Sequence, residues 1–309
     1  MDTYLPFPNF VLRTPHYPIE DIRRITRSER LDSAALKAIC QNPVFQEALY
    51  LASPSFYRET MKWIEGNMPS QKEEDKVVQG LLRYYARMCT RCTPFGLFAG
   101  ITTGDLGKET KIELSPQGQY SLNVRLDMNF VCALAKELSK LKAIKERLKF
   151  FPNTSLYAMG ERMRYVEYSF GKAKRSHHIA AVESSPYLQN VLTAARQGKR
   201  MDELAALLVD DEISQTEALA FIGELVESQL LVSELEPTVS GDDPLGQIIK
   251  VLNAIGDKEV RGTARKLEVI NDQLATMRSP KAFRPVSDYL DIKRGLASFP
   301  TQFEEKFLF

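Results

Sequence analysis

The sequence predicts an α+β fold of mixed sheet and helix, and two observations carry that expectation. A stripe of Val77, Val78, Leu81, Leu82, Tyr85 and Met88 recurs at helical spacing in the first third of the chain. Beyond Pro94 the pattern changes to short, partly alternating runs punctuated by glycine, the signature of strands, before helices return.

Taken in order, Pro6, Pro8, Pro15 and Pro18 exclude a long N-terminal helix, and Phe10-Val11-Leu12 reads as a short strand. Ile19 to Cys40 is helical in pattern, and Asn42 to Tyr57 continues in short helices. Ser70 starts a clear helix with Glu73 as its capping box. Phe98–Thr103, Lys111–Leu114 and Tyr120–Leu126 read as strands separated by Gly104, Gly107 and Pro116-Gln117-Gly118. A helix from Met128 to Phe150 follows. Arg162–Phe170 and Ser176–Val182 form a hairpin turning at Gly171-Lys172-Ala173-Lys174. Next come helices over Pro186–Ala195 (ended by Gly198), Met201–Leu208, and Ser214–Gln229 with Glu217 as its capping box. Leu230–Leu235 then reads as a strand. A hairpin, three helices and a strand make a winged-helix pattern. After the linker Ser240–Pro244, helices are expected over Pro244–Ala254 and Lys258–Met277. The expected organisation is a mixed N-terminal portion (1–160), a winged-helix-like element (161–237) and a helical C-terminal part (238–309).

The 309 residues suit about two domains and a core that needs neither disulfides nor metal. The 41 basic and 40 acidic side chains nearly cancel, so net charge does not announce a nucleic-acid binder, although a local basic patch stays open. Four cysteines are no disulfide framework, and the first residues are no signal peptide. No run approaches the ~18–20 apolar residues of a membrane span. The expectation is a reduced, cytoplasmic protein without a membrane span.

One constellation stands out. Arg83, Arg87 and Arg91 are spaced by four, so a helix puts them on one face. A solvated polar face is the plain reading. Against it, no acid sits in the last two turns, whereas Glu73, Glu74 and Asp75 crowd the first. Aromatic and apolar neighbours (Tyr84, Tyr85, Phe95, Leu97, Phe98) suggest a partly enclosed surface, where arginine suits carboxylate or phosphate. Cys89-Thr90-Arg91-Cys92 has the CxxC form but lies at a helix end, without a second cysteine pair or suitably placed histidines. Core cysteines are the better reading, and no metal is expected. Lys136, Lys140, Lys142, Lys145, Arg147 and Lys149 give one helix a basic surface, relieved by Glu137 and Glu146. His177-His178 reads as structural or exposed. No phosphate-binding glycine loop, HExxH or GxSxG is present.

The run Leu82 to Gly100, with Arg91-Cys92-Thr93-Pro94-Phe95-Gly96 at its centre, resembles the signature of the lantibiotic dehydratases, and more narrowly their tRNA-dependent glutamylation domain. Phe10-Val11-Leu12-Arg13-Thr14-Pro15 is similar to the Arg-(Thr/Ser)-Pro segment near that family's start. Val124–Asp127 and Asn153–Tyr157 add to the likeness, which covers essentially the whole chain. The resemblance implies that glutamate passes from glutamyl-tRNA, as co-substrate and without further cofactor, to Ser and Thr hydroxyls of a ribosomal precursor peptide. A separate domain then eliminates it to leave dehydro amino acids. By motif it places catalytic roles on Arg13, Arg87, Arg91 and Thr93, with Arg83 an additional anion-binding residue. It also implies a lanthipeptide cyclase and a homodimer as partners.

The winged-helix-like segment resembles the leader-recognition element of peptide-modifying enzymes. That implies strand addition at His178, Ile179, Ala180 and Val182, with Leu219, Ile222 and Val226 of the third helix beside it; for these last three the plain reading is core. The acidic polar face of that helix (Glu217, Glu224, Glu227) argues against DNA. Full-length family members are several times longer, and the apolar end Gln302–Phe309 reads as a truncation. The competing functions are a non-catalytic leader-peptide binding module and part of a peptide-aminoacyl-tRNA ligase.

Overall fold

The computed structural model describes residues 4–5, 7–27, 33–171 and 174–309. The chain divides into two compact units, one of Met1–Asn123 with Met277–Asp291, the other of Val124–Thr276 with Ile292–Phe309. The 1–160 portion expected from sequence therefore draws on both. No helix among the described residues is long and apolar enough to cross a membrane.

The first unit begins with β1 (Asn9–Pro15), followed by α1 (Ile19–Ile25), α2 (Ser33–Gln41), α3 (Pro43–Ala52) and α4 (Pro54–Ile64). Then come α5 (Gln71–Thr90), a single 3-10 turn over Gly96–Phe98, and β2 (Ala99–Asp105). Residues 28–32, inside the helical stretch expected from Ile19 to Cys40, lie outside the described residues. Helices start where the sequence supplies caps. Asn42, Ser53 and Ser70 each accept a hydrogen bond from a backbone N–H of the first turn of α3, α4 and α5. At Ser70 only that half of the expected capping box forms, because the Glu73 carboxylate turns to Lys76 at 2.7 Å. The core gathers Leu36, Phe45, Leu49, Trp63, Leu81 and Phe98.

β1 and β2 form a two-stranded antiparallel ribbon in which Arg13 lies opposite Ile101 and Phe10 opposite Gly104. A Cβ at Gly104 would fall 2.5 Å from the tip of the Phe10 ring, so the ring could keep this position only beside a glycine. Lys111–Leu114 and Tyr120–Leu126 are not strands, contrary to the sequence reading. Their alternation supplies strand propensity, but a strand needs a neighbour's backbone. Ile112 and Leu114 remain exposed.

The second unit contains α6 (Met128–Lys140), α7 (Lys142–Lys145), β3 (Phe150–Pro152), β4 (Tyr157–Met159), β5 (Arg162–Gly171) and β6 (Lys174–Glu183). It continues with α8 (Pro186–Ala194), α9 (Met201–Ala205), α10 (Gln215–Glu227), β7 (Leu231–Ser233), α11 (Pro244–Ile255) and α12 (Lys258–Met277), whose last residue belongs to the first unit. α13 (Val286–Leu296), which falls in the expected helical C-terminal part although no helix was named there, is divided between the units. The single helix expected over Met128–Phe150 breaks at Leu141, whose backbone is extended. Leu138 and Ile144 are both fully buried, yet a straight helix would place them about 120° apart. The break lets both reach the core.

β5 and β6 pair through ten residue positions, and the sheet order is β4-β5-β6. The expected turn residues Lys172 and Ala173 lie outside the described residues. β7 pairs with β3 and so belongs to a different sheet from the hairpin. Along β5, the edge away from β6 is occupied beyond β4. Ser155 Oγ accepts from Val166 N, Asn153 Nδ2 donates to Val166 O, and the Gln229 amide bonds both backbone groups of Tyr168. β6 is left as the edge strand. α10 has the full reciprocal capping box of Ser214 and Glu217.

Candidate functional site

α5 positions the arginines. Val77, Leu81, Tyr85, Met88 and Cys89 bury one face at spacings of three and four, which turns Arg83 and Arg87 toward the other. Glu73 and Glu74 suit the helix's positive end, and Arg87 suits its negative end. Arg83 is exposed, whereas Arg87 is half-buried. Arg91 is the C-cap, at φ −115° and ψ 123°, so the last of the three stands where the backbone leaves the helix. The stripe expected over three turns is helical only for its first two members. Thr93 is exposed in the loop that follows.

That loop folds back on the helix. Gly96 adopts a left-handed φ of +52°, a conformation that favours glycine, and Phe98 N donates to Phe95 O at 3.1 Å. The Phe95 ring then lies under the Arg87 guanidinium, 4.5 Å from its carbon. Two further hydrogen bonds tie the end of β1 to this turn and to α5: His16 N to Phe98 O and Tyr17 N to Met88 O. The strand bearing Arg13 is thereby fastened to the turn and to α5.

The electrostatics of this surface are one-sided. Among the described residues no ion pair involves Arg13, Arg83, Arg87 or Arg91, and Arg87 Nε is buried without a hydrogen-bond partner. His16 Nε2 and the Tyr17 hydroxyl are likewise buried and unpartnered. Burial lowers the His16 pKa and, aided by the negative charge of nearby Cys89 and Asp21, pushes the Tyr17 phenol up to about 12. His16 is thus neutral near pH 7, and the arginines dominate. Phe95, His16 and Tyr17 were not singled out as site residues by sequence reasoning. The one legible signal was the aromatic company of the helix end.

The CxxC pair divides. Cys89 is buried, and burial pushes its thiol up to about 11, so it is not poised as a nucleophile. Cys92 is exposed, contrary to the expectation of two core cysteines, because it follows the C-cap and leaves the buried face. No metal-binding cluster is found among the described residues.

The residues expected to meet a leader peptide lie in the second unit. On β6, His178 and Ile179 are exposed, and Ala180 and Val182 are half-buried. His178 Nε2 meets Glu167 Oε1 across the hairpin at 2.6 Å. On α10, Leu219 is exposed and Val226 half-buried. Ile222 is corrected: it is 0% exposed and belongs to the core, closed to any peptide. One turn separates it from both neighbours, and α10 turns that part of its stripe inward.

Comparison with known proteins gives the chain its family. Residues 41–304 match the family described as "Lantibiotic dehydratase, N terminus". The chain is 23% identical over 254 residues to the epidermin biosynthesis protein EpiB of Staphylococcus epidermidis, covering 81% of this chain and 25% of that one. It is 24% identical over 224 residues to the nisin biosynthesis protein NisB of Lactococcus lactis subsp. lactis, covering 72% and 22%. The fold is similar to the tRNA-dependent lantibiotic dehydratase MibB from Microbispora sp. 107891, with TM-score 0.74, 21% identity, and coverage of 97% of this chain and 28% of that one. It is also similar to TbtB, a glutamylation domain from thiomuracin biosynthesis, with TM-score 0.52, 15% identity, and coverage of 86% and 32%. The chain spans about a quarter of the length of the relatives it matches.

Proposed function

Because this chain belongs to the lantibiotic dehydratase N-terminal family, we propose that it forms the front of a glutamylation domain in a peptide dehydratase. The whole enzyme would move glutamate from glutamyl-tRNA to Ser and Thr hydroxyls of a precursor peptide, before elimination leaves dehydro amino acids. The observation that carries the reading is the arginine surface without carboxylate partners among the described residues, with Arg87 Nε buried and unspent. In support, MibB is described as tRNA dependent and TbtB as a glutamylation domain.

The chemistry asks little of a covalent nucleophile. The peptide hydroxyl oxygen attacks the ester carbonyl of glutamyl-tRNA and loses its proton. The tetrahedral oxyanion then collapses, and the tRNA ribose oxygen departs with a proton. Such a transfer needs positioning and oxyanion stabilisation. Arg87 and Arg91 hold acceptor-end phosphates or the glutamyl carboxylate, and Arg83 extends the same surface. Thr93 helps to place the acyl group, and Arg13 closes the site from β1. Losing one charged hydrogen bond costs about 1.5–3 kcal/mol, so Arg87→Ala or Arg91→Ala is expected to lower glutamylation by about 10- to 150-fold. The measurement is adduct mass on the precursor peptide, with the whole enzyme and glutamyl-tRNA. Undiminished glutamylation by both variants would sink the reading. An adduct of another amino acid would redirect it to the peptide-aminoacyl-tRNA ligases.

The open edge of β6 favours a second capacity, leader binding by strand addition. The chain order of the hairpin, α8, α9 and α10 supports this reading of a winged-helix-like element, although β7 pairs with β3 outside it. His178, Ile179, Ala180 and Val182 would present the edge, with Leu219 and Val226 beside it. Leader binding that survives Arg87→Ala, with no glutamylation in any variant, is the signature of the non-catalytic module.

A further inference from the structure

We propose that Phe95 is a positioning residue for Arg87, fixing the plane of its guanidinium so that the remaining N–H groups face the tRNA. The inference rests on the reading of the arginine surface as a tRNA-binding wall and names what holds that wall in shape.

Arg87 has a long side chain and no carboxylate partner among the described residues, and its Nε is buried without an acceptor. Its guanidinium carbon lies over the Phe95 ring, 4.5 Å from the centroid. Phe95 is itself held. Its ring meets Phe98 edge-on at 5.6 Å, Phe98 meets Tyr84 at 5.6 Å, and Tyr84 meets Phe56 of α4 at 5.3 Å. Phe56 is seated over Gly80 of α5, where a Cβ would lie 2.4 Å from the ring tip. A relay of aromatic rings thus runs from the helical scaffold to the guanidinium. Gly96, at φ +52°, lies inside the turn that Phe98 N closes onto Phe95 O at 3.1 Å.

Stacking on one face of a guanidinium leaves its in-plane donors free, which is the geometry for gripping phosphate or carboxylate through two hydrogen bonds. A salt bridge would hold Arg87 equally still but would consume those donors. Phe95 holds the side chain without spending them. With Phe95 gone, the arginine keeps its charge and loses its aim.

The test is a double-mutant cycle on this chain, with fluorescence anisotropy against tRNA charged with glutamate, so that phosphate and glutamyl carboxylate are both present, and thermal unfolding recorded for every variant. Phe95→Ala is expected to raise Kd by about 3- to 30-fold, and Arg87→Ala to weaken binding at least as much. Phe95→Ala added to Arg87→Ala is expected to change nothing further, since the ring acts through the guanidinium. Phe95→Trp restores binding because it keeps a π face, and Phe95→Leu, which keeps apolar bulk, does not. Additive losses in the double variant, or full rescue by leucine, overturn the proposal and leave the wall intact. Unchanged binding in Arg87→Ala, or no saturable tRNA binding by the unsubstituted chain, overturns the wall reading and this inference with it.

Discussion

Replacing Glu47 on α3 tests how the Met277–Asp291 segment is held in the first unit. Glu47 is 1% exposed. One carboxylate oxygen accepts from the Tyr289 hydroxyl and the other from Arg284 N, both at 2.7 Å. The Arg284 guanidinium, also buried, donates to the carbonyls of Met277 and Ser279 and so shapes the loop that delivers its N–H to Glu47. Glu47→Ala removes the acceptor of two buried donors at about 1–3 kcal/mol each, or about 2–6 kcal/mol in total. Glu47→Gln keeps one acceptor oxygen and is expected to lose about half as much. Trp63 is the only tryptophan of the sequence and lies 2% exposed in the core of this unit, so urea unfolding followed by its fluorescence reads the unit directly.

The same carboxyl predicts a pH dependence. Burial, the largest influence, raises its pKa, and hydrogen bonds from Arg284 and Tyr289 with the Arg284 charge offset this in part. The folded state therefore keeps the proton to higher pH than the unfolded state does. Stability falls as pH rises from the ordinary carboxylate value to the raised folded value, then levels. Glu47→Gln removes that decline. An alanine variant within about 1 kcal/mol of the parent protein, or a decline that persists in the glutamine variant, would refute the argument.

Two other outcomes are expected. Gly198 ends the helical turn after α8 at φ +75°, and a Cβ there would lie 2.5 Å from the Phe151 ring. Gly198→Ala should therefore cost about 1–3 kcal/mol in circular-dichroism unfolding. Iodoacetamide should label Cys92 alone under native conditions, read by peptide mass. Cys40, Cys89 and Cys132 are buried, and burial raises all three thiols, that of Cys40 to about 12. Native labelling of Cys89 would contradict the buried face assigned to α5.

Several helices and their capped starts were legible from residues alone. Ser70 and the Val77–Leu81–Tyr85–Met88 stripe announce α5, and Ser214 with Glu217 announces α10. A helix closes its backbone hydrogen bonds within a few residues, so its evidence is local. The hairpin β5–β6 was legible for the same reason. The four-residue spacing of the arginines, and the absence of acids beside them, were also present in the one-dimensional pattern.

What needed the tertiary structure was every property that depends on a distant partner. Lys111–Leu114 and Tyr120–Leu126 carry strand-like residues but find no strand to pair with, and β7 chooses β3 rather than the hairpin. Ile222 and Leu219 look alike on a helical stripe, yet one is sealed in the core and the other open to solvent. Arg13 joins the neighbourhood of α5 because β1 pairs with β2 across many intervening residues, a closure that no local sequence pattern displays. Sequence alone determined that arginines would line one face of a helix. Only the folded chain decided that one of them would lie on Phe95 with its donors unspent among the described residues, because that contact joins a helix to the loop beyond it and follows no period.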